Sequence, residues 1–161
     1  VRSEVGVGST FWAEIPIVYA GAVRVKPPAP ATSDAAGNDG LRILVIDDDE
    51  TARYTISSFA RRPGTSILEA ESGVQGLARA QEESPDVILL DMMMPGIGGH
   101  EVLQRLKADA TTAAIPVVIV TSRFINEDER RQILSRAANV INKGDLSREV
   151  VTNAIDAALG K

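Results

Sequence analysis

Four short apolar runs, each followed by a polar side chain, constrain the fold of this chain more than any other feature. The runs and the residues that follow or end them are 43–46 with Asp47, 87–90 with Asp91, 117–120 with Thr121, and 140–142 with Lys143. Such runs are typical of strands whose sheet is covered on both faces. If the strands lie parallel, their carboxyl ends meet at one sheet edge, where open α/β sheets bind ligands.

Segments of helix length separate these runs. Apolar residues recur in them at helical spacing, for example Val102, Leu103 and Leu106. The pattern predicts helices at 50–61, 73–83, 99–108, 126–136 and 146–159, and a less apolar strand at 66–70 that suits a sheet edge. Asn126 and Glu129 have the spacing of a capping box. Alternating strands and helices predict an α/β fold with a parallel sheet.

Composition excludes several classes of function. The chain has no cysteine, which rules out a disulfide scaffold, a thiolate zinc site and a cysteine nucleophile; this is compatible with a cytoplasmic location. The formal net charge of −5 argues against a nucleic-acid partner or contact with an anionic membrane. No apolar stretch reaches the roughly 18 residues that span a bilayer, and no signal peptide is recognisable.

The first forty residues differ in composition from the rest. Within 1–20, two glycines favour a turn before an aromatic and β-branched stretch at 10–18, which predicts a strand. Residues 21–40, rich in Ala, Pro and Gly, are typical of a flexible linker. The start at Val1 suggests an excerpt from a longer protein. We expect the lone strand to be disordered or to pair with another chain.

The acidic residues at the strand ends predict a metal site. Asp47, Asp48 and Asp91 would repel one another at close range unless a cation lay between them. Mg²⁺ prefers oxygen ligands from one or two carboxylates, water and phosphate. Met93, two residues after Asp91, could add its backbone carbonyl, while Met92 and Met94 are expected to serve in packing.

The same edge carries groups suited to phosphoryl transfer. A carboxylate such as Asp91 can attack phosphorus and form an acyl phosphate. Lys143 can pair with a phosphate as a point charge, and the hydroxyl of Thr121 or Ser122 can donate to a phosphoryl oxygen. Each of these residues has a plainer alternative role. Asp91 could be a turn residue, Lys143 a solvated lysine, and Thr121 or Ser122 a strand-end hydroxyl. His100 is conceivable as a relay, but a polar helix residue is favoured.

Residues 47–50 could also be merely the acidic start of a helix, which the helix dipole favours. Asp49 and Glu50 are assigned to this role, and not to metal binding.

These motifs, in this order and spacing, resemble a bacterial response-regulator receiver domain of the CheY-like type over residues 41 to about 160. The resemblance implies a flavodoxin-like doubly wound α/β fold, with a five-stranded parallel sheet in the order 2-1-3-4-5 and five helices. It further implies a phosphorelay in which the domain catalyses its own phosphorylation from a phosphohistidine. The partners would be a histidine kinase or a histidine phosphotransfer protein, and a dimer is compatible with the family.

The family's roles map onto single residues of this chain. Asp91 resembles the phosphoacceptor, Asp47 and Asp48 the acidic pair that binds Mg²⁺, with Asp48 the more direct ligand. Met93 would supply a carbonyl to the metal. Thr121 resembles the switch hydroxyl and Lys143 the phosphate-pairing lysine.

The N-terminal segment resembles a different family. Residues 6–11 are similar to the last glycine box and final strand of a histidine-kinase ATP-binding domain. This implies a division into a kinase remnant at 1–20, a linker at 21–40 and a receiver domain at 41–161, the order of a hybrid sensor kinase. Because the ATP site itself is missing, the fragment is not expected to bind ATP or to phosphorylate itself on histidine.

Two residues depart from the receiver pattern. Gly144 follows Lys143 where the family often has a cis proline, so a trans bond is expected, since a non-proline cis bond costs about 2.5–4 kcal/mol. Val140 replaces the family's aromatic switch residue. These departures leave a phosphorylation-independent interaction module as an alternative. A haloacid-dehalogenase-type hydrolase is the other alternative, but it requires an acid where Met93 stands.

Overall fold

The computed structural model describes residues 2–4, 8–10 and 40–161, which belong to two units, Val1–Gly37 and Asn38–Lys161. In the first unit, strand β1 (Arg2–Glu4) pairs antiparallel with strand β2 (Gly8–Thr10). The predicted strand at 10–18 overlaps β2 only at Thr10, which pairs within the chain. Its remainder, and the predicted linker up to residue 39, lie outside the described residues.

The second unit alternates strands and helices, as predicted. Its elements are β3 (Leu41–Ile46), α1 (Glu50–Ala60), β4 (Thr65–Ala70), α2 (Gly73–Glu83), β5 (Val87–Asp91), α3 (Gly99–Ala108), β6 (Val117–Thr121), α4 (Glu127–Leu134), β7 (Asn139–Asn142), a 3₁₀ turn (Lys143–Asp145) and α5 (Arg148–Ala158). Every predicted helix and strand of this unit is present, with bounds that differ by at most two residues. None of the described helices is long and apolar enough to cross a membrane.

The five strands β3 to β7 form one parallel sheet in the order β4-β3-β5-β6-β7. Counted within the unit this is the order 2-1-3-4-5, so the expected α/β fold is confirmed. The less apolar β4 lies at an edge, as its composition indicated. The register sets Ile46 beside Leu90 and Asp91 beside Val120. The residues that end β3, β5 and β6 therefore meet at one edge.

Two apolar layers cover the sheet. On one face, α1 and α5 pack Ile56, Val151 and Ile155 against alternate strand residues. On the other face, α2, α3 and α4 pack against the remaining strand residues, with Leu103 and Leu106 of α3 at the centre. Strands covered in this way must be apolar throughout, which accounts for the continuous runs in the sequence.

Side-chain caps begin most of the helices. Asp49, Ser72 and Ser147 accept hydrogen bonds from the first turns of α1, α2 and α5. The predicted capping box of α4 is confirmed, with Asn126 and Glu129 each bonding the other's backbone N–H. Caps satisfy N–H groups that a helix leaves unpaired, so these residues determine where the helices start.

The end of α1 is tied to α5 by polar contacts. Arg62 forms a bidentate pair with Asp156, at 2.6 and 3.1 Å. Arg148 donates to the carbonyl oxygens of Arg61 at 3.0 Å and Ser58 at 3.1 Å. These bonds satisfy carbonyls that the helix end leaves unpaired.

Candidate functional site

The polar residues that end the strands come together at the carboxyl edge of the sheet. Lys143 Nζ lies 2.7 Å from Asp47 Oδ2 and 3.1 Å from Asp91 Oδ2. Asp47, Asp48 and Asp91 each present a carboxylate oxygen within 4.8 Å of the other two. Thr121 ends β6, one residue past the register partner of Asp91. The structure thus brings Asp47, Asp48, Asp91 and Lys143 together, with Thr121 at the end of the strand next to Asp91.

Burial distinguishes the members of this group. Asp47, Asp91 and Thr121 are 0%, 3% and 1% exposed, whereas Asp48 is exposed. Burying an ionised carboxylate is strongly unfavourable unless it is paired or binds a cation. Because two buried carboxylates beside one lysine do not favour stability, their burial indicates a chemical role for this site.

Asp47 and Lys143, which are in contact at the site, change each other's pKa. Burial raises the pKa of Asp47 above its ordinary value, and the charge of Asp91 adds to this, while the hydrogen bond and charge of Lys143 oppose it. Burial alone would lower the pKa of Lys143, but its hydrogen bonds and charge pairing with Asp47 and Asp91 outweigh burial, so its pKa is raised. Lys143 therefore retains its proton and its positive charge.

The acidic cluster fits a divalent cation bound through oxygen. Asp91 Oδ1 is buried without a hydrogen-bond partner. Asp47 Oδ2 is paired with Lys143 Nζ at 2.7 Å, so the Asp91 oxygen is the clearer sign. Buried oxygens left in this state are expected where an ion or water is the missing partner. Three carboxylates with the exposed Asp48 toward solvent match the all-oxygen preference of Mg²⁺.

Asp49 and Glu50 take the structural role that the sequence assigned to them. Asp49 is the N-cap of α1 and accepts from the Ala52 N–H at 2.9 Å, a bond that lowers the pKa of Asp49. Its own backbone N–H donates to Asp47 Oδ1 at 3.0 Å. The start of α1 therefore helps to orient the Asp47 carboxylate.

The two candidate hydroxyls differ in burial, since Thr121 is buried and Ser122 is exposed. Thr121 Oγ1 accepts a hydrogen bond from the Arg123 N–H at 3.2 Å. The Arg123 guanidinium in turn pairs with Glu129 of α4 at 2.6 Å. The Thr121 hydroxyl is thus linked through Arg123 to Glu129, in the first turn of α4.

The three methionines after Asp91 have different environments. Met94 is buried in the core and Met92 packs against it, as expected for packing residues. Met93 is 56% exposed. Its predicted carbonyl contribution to a metal stays a prediction.

A cleft of about 180 Å³ opens beside Thr121, between the loop after Asp91 and α4. Its walls include Met92, Met93, His100, Thr121, Arg123, Ile125 and Glu129. His100 is exposed at the start of α3 and reaches this cleft.

The two departures from the receiver pattern are visible in the structure. Val140 is half-buried and packs against the core under α4. Gly144 lies in the 3₁₀ turn after β7, where its N–H donates to Asn142 Oδ1 at 2.8 Å. The described residues contain no cis peptide bond, so the expected trans bond is confirmed.

Sequence reasoning missed Arg53. Its Nη1 donates to the backbone carbonyl of Asp47 at 2.8 Å, directly behind the acidic pair. One signal was available: Arg53 follows the N-cap Asp49 by four residues, and the helix dipole disfavours a cation near a helix N-terminus. A cation placed there indicates a specific acceptor.

Comparison with known proteins shows the family. The model for the response regulator receiver domain matches residues 43–156. The chain belongs to this family. The receiver is 36% identical over 118 residues to protein PilH of Pseudomonas aeruginosa, covering 73% of the chain and 97% of PilH. A receiver protein domain from Methanoculleus marisnigri has a solved structure with a TM-score of 0.61 and 30% identity, covering 74% of this chain and 97% of that domain.

A longer relative aligns with the N-terminal segment as well. The chain is 30% identical over 174 aligned positions to sensor histidine kinase AruS of Pseudomonas aeruginosa, an alignment that covers 100% of the chain. The chain spans only 17% of AruS. It is thus a receiver domain of two-component signal transduction, a family whose members interact with histidine kinases or phosphotransfer proteins.

Proposed function

We propose that this receiver takes a phosphoryl group from a phosphohistidine onto Asp91. The observation that carries the proposal is the buried Asp91 carboxylate, with one oxygen 3.1 Å from Lys143 Nζ and the other without a hydrogen-bond partner. A carboxylate held beside a cation, with a free oxygen and two further acids nearby, has the composition of a phosphoryl-accepting site.

The reaction is an in-line displacement at phosphorus. An Asp91 oxygen attacks the phosphoryl group, the P–N bond to the donor imidazole breaks, and the imidazole leaves with the electron pair and takes up a proton. Lys143 pairs with the transferred phosphoryl oxygens, and Thr121 donates its hydroxyl to one of them. Positioning and charge neutralisation supply most of the catalysis in such transfers.

A Mg²⁺ ion would be held by Asp48 and Asp91, with Asp47 beside them and the Met93 carbonyl as a further ligand. When bound it neutralises phosphoryl charge. Lys143 by itself cannot neutralise Asp47, Asp91 and an incoming phosphoryl group. We therefore expect phosphorylation to depend on the divalent ion.

Mass spectrometry of the intact chain tests the assignment. After incubation with a small acyl phosphate and MgCl₂, we expect one added phosphoryl group, which is lost in Asp91→Asn. Asp145→Asn, which changes an exposed acid in the neighbouring 3₁₀ turn, serves as the matched control and keeps the modification. Stoichiometric labelling of Asp91→Asn would refute the role of Asp91.

The alternative, an interaction module that works without phosphate, draws support from Val140 and Gly144. It predicts no acyl phosphate on the unaltered chain, so the same spectrum separates the two. Sustained turnover of a phosphate ester would instead favour the hydrolase alternative.

We propose that the full-length protein is a hybrid sensor histidine kinase. This chain would hold the end of its kinase domain at 1–20, a linker at 21–40 and the receiver at 41–161. The alignment with AruS over the full chain supports this order. The location that we propose is the cytoplasm, because the donor histidine would be phosphorylated from ATP. Phosphotransfer from the purified kinase core of the full-length protein to this chain, faster than from an unrelated kinase, is the expected result.

A further inference from the structure

Arg53 of α1 lies against the backbone that carries the acidic pair. Its Nη1 donates to the carbonyl oxygen of Asp47 at 2.8 Å, and its side chain is only 14% exposed. That carbonyl belongs to the peptide group that joins Asp47 to Asp48. A charged donor bonded to it restrains both residues, because the direction of each side chain follows from the backbone.

Arg53 is itself held by Glu69, the next-to-last residue of β4. Its Nε lies 3.7 Å from Glu69 Oε2, and Ser57, one turn further along α1, donates to Glu69 Oε1 at 2.6 Å. Ser57 is 2% exposed. The Arg53–Glu69–Ser57 cluster therefore joins α1 to the strand next to β3, with one carboxylate bonding two residues of the helix.

The other side of Asp47 is held as well. Its backbone N–H donates to the carbonyl of Ala70 at 3.1 Å, where β4 ends. Asp47 is thus bonded through its N–H by β4 and through its carbonyl by α1. Because the acids repel one another, an unrestrained turn would relax by moving them apart, and the restraint opposes this.

We propose that Arg53 is a positioning residue for divalent-metal binding. By holding the peptide between Asp47 and Asp48, it keeps the two carboxylates at the spacing that the ion requires. Glu69 and Ser57 keep Arg53 in place. This inference rests on the proposed function, which assigns the metal to Asp48 and Asp91.

Arg148 offers a matched control. It too donates from a guanidinium to backbone carbonyls of the α1 region, those of Ser58 and Arg61, but at the end remote from the acidic pair. Replacing an arginine that has only a structural role lowers stability and leaves metal affinity unchanged. Arg53 is expected to affect both properties.

The test is the Mg²⁺ dissociation constant of the full chain, measured from amide chemical shifts during titration with MgCl₂, beside urea unfolding of each variant. Arg53→Met is expected to raise the dissociation constant about tenfold, as loss of residues that orient metal ligands does, with Arg148→Met within about twofold. Arg53→Lys is expected to recover part of the affinity, because an ammonium can still donate to the Asp47 carbonyl.

Equal dissociation constants for folded Arg53→Met and Arg148→Met would overturn the positioning role. If Arg53→Met does not fold, Glu69→Gln replaces it: the amide still accepts from Ser57 but no longer attracts Arg53, and an unchanged dissociation constant there overturns the inference. Asp48→Asn separates the two proposals. If it binds Mg²⁺ as the parent does, the metal site itself is wrongly assigned.

Discussion

Lys143 is the one cation in contact with both buried carboxylates among the described residues. In Lys143→Gln, Asp47 and Asp91 lose a charged donor and must share an amide. We expect the free energy of unfolding, measured in urea, to fall by about 2 kcal/mol, the usual worth of hydrogen bonds to charged groups. Phosphorylation of Asp91, followed by mass spectrometry, is expected to fall with it.

Lys107→Gln is the control for this change. Lys107 is also partly buried and donates to the carbonyls of Ala113 and Ile115, away from the acidic edge. Its loss is expected to lower stability while phosphorylation of the folded protein continues. A similar loss of phosphorylation in both variants would show that Lys143 acts through folding alone.

The raised pKa of Asp47 makes stability depend on pH. Since its folded-state pKa lies above the ordinary 3.8, the folded protein holds this proton more tightly than the unfolded chain does. Stability from this group is therefore greatest at low pH and is lost as pH rises from 3.8 through the raised pKa. Asp47→Asn is expected to resist urea better than the parent at pH 7, with an advantage that shrinks toward pH 4. A difference independent of pH would contradict this.

Helix α3 begins so close to Asp91 that only glycine fits at its first position. A Cβ on Gly99 would lie 2.7 Å from Met92 Cα and 2.9 Å from the Asp91 carbonyl carbon, backbone atoms that cannot move aside. We expect Gly99→Ala to lower the free energy of unfolding by about 1–3 kcal/mol. It should also weaken Mg²⁺ binding, because relief of the clash displaces Asp91.

Gly98, the N-cap of the same helix, is the control. A Cβ there would have its nearest contact at 3.7 Å, and α3 has no side-chain cap. Gly98→Ser is expected to raise the free energy of unfolding in urea by about 0.3 kcal/mol, since a serine N-cap stabilises a helix by a few tenths of a kcal/mol more than glycine does. Equal losses at the two positions would argue against the close approach at Gly99.

Among the described helices, α4 has the fewest buried residues, with Ile133 as the one buried residue of its eight. Asn126→Ala removes the capping box and is expected to lower its stability by about 1 kcal/mol. Amide hydrogen exchange should show this as faster exchange in α4, with the strands unchanged. In Ser147→Ala, the cap of α5 is lost but Val151 and Ile155 remain buried, so we expect little local opening there.

Across the whole molecule, the receiver fold was predictable from sequence because four of the five strands are apolar runs that end beside a polar side chain, while β4, at the sheet edge, is less apolar and ends in Ala70. The site residues Asp47, Asp91 and Lys143 followed from that placement alone. Arg53 was not predictable in the same way, because its acceptor is a backbone carbonyl, and a cation in the first turn of α1 indicates only that some acceptor lies nearby. Helical spacing alone does not fix burial either: Val74 falls at an apolar position of α2 and yet is 62% exposed.

The core and the proposed site both lie within residues 40–161. A chain reduced to these residues is therefore expected to keep the urea midpoint, the Mg²⁺ affinity and the phosphorylation of the full chain. All three can be measured on the two proteins side by side. A loss of affinity in the shorter chain would show that residues 1–39 contribute to the site.

The contacts between α1 and α5 also bear on how the protein is made. Arg62 and Asp156 are 94 positions apart in the chain. While the ribosome is still adding residues beyond β7, the end of α1 lacks its partners and one face of the sheet is covered by α1 alone. A nascent chain arrested before residue 148 would present an open, apolar surface to proteases and chaperones.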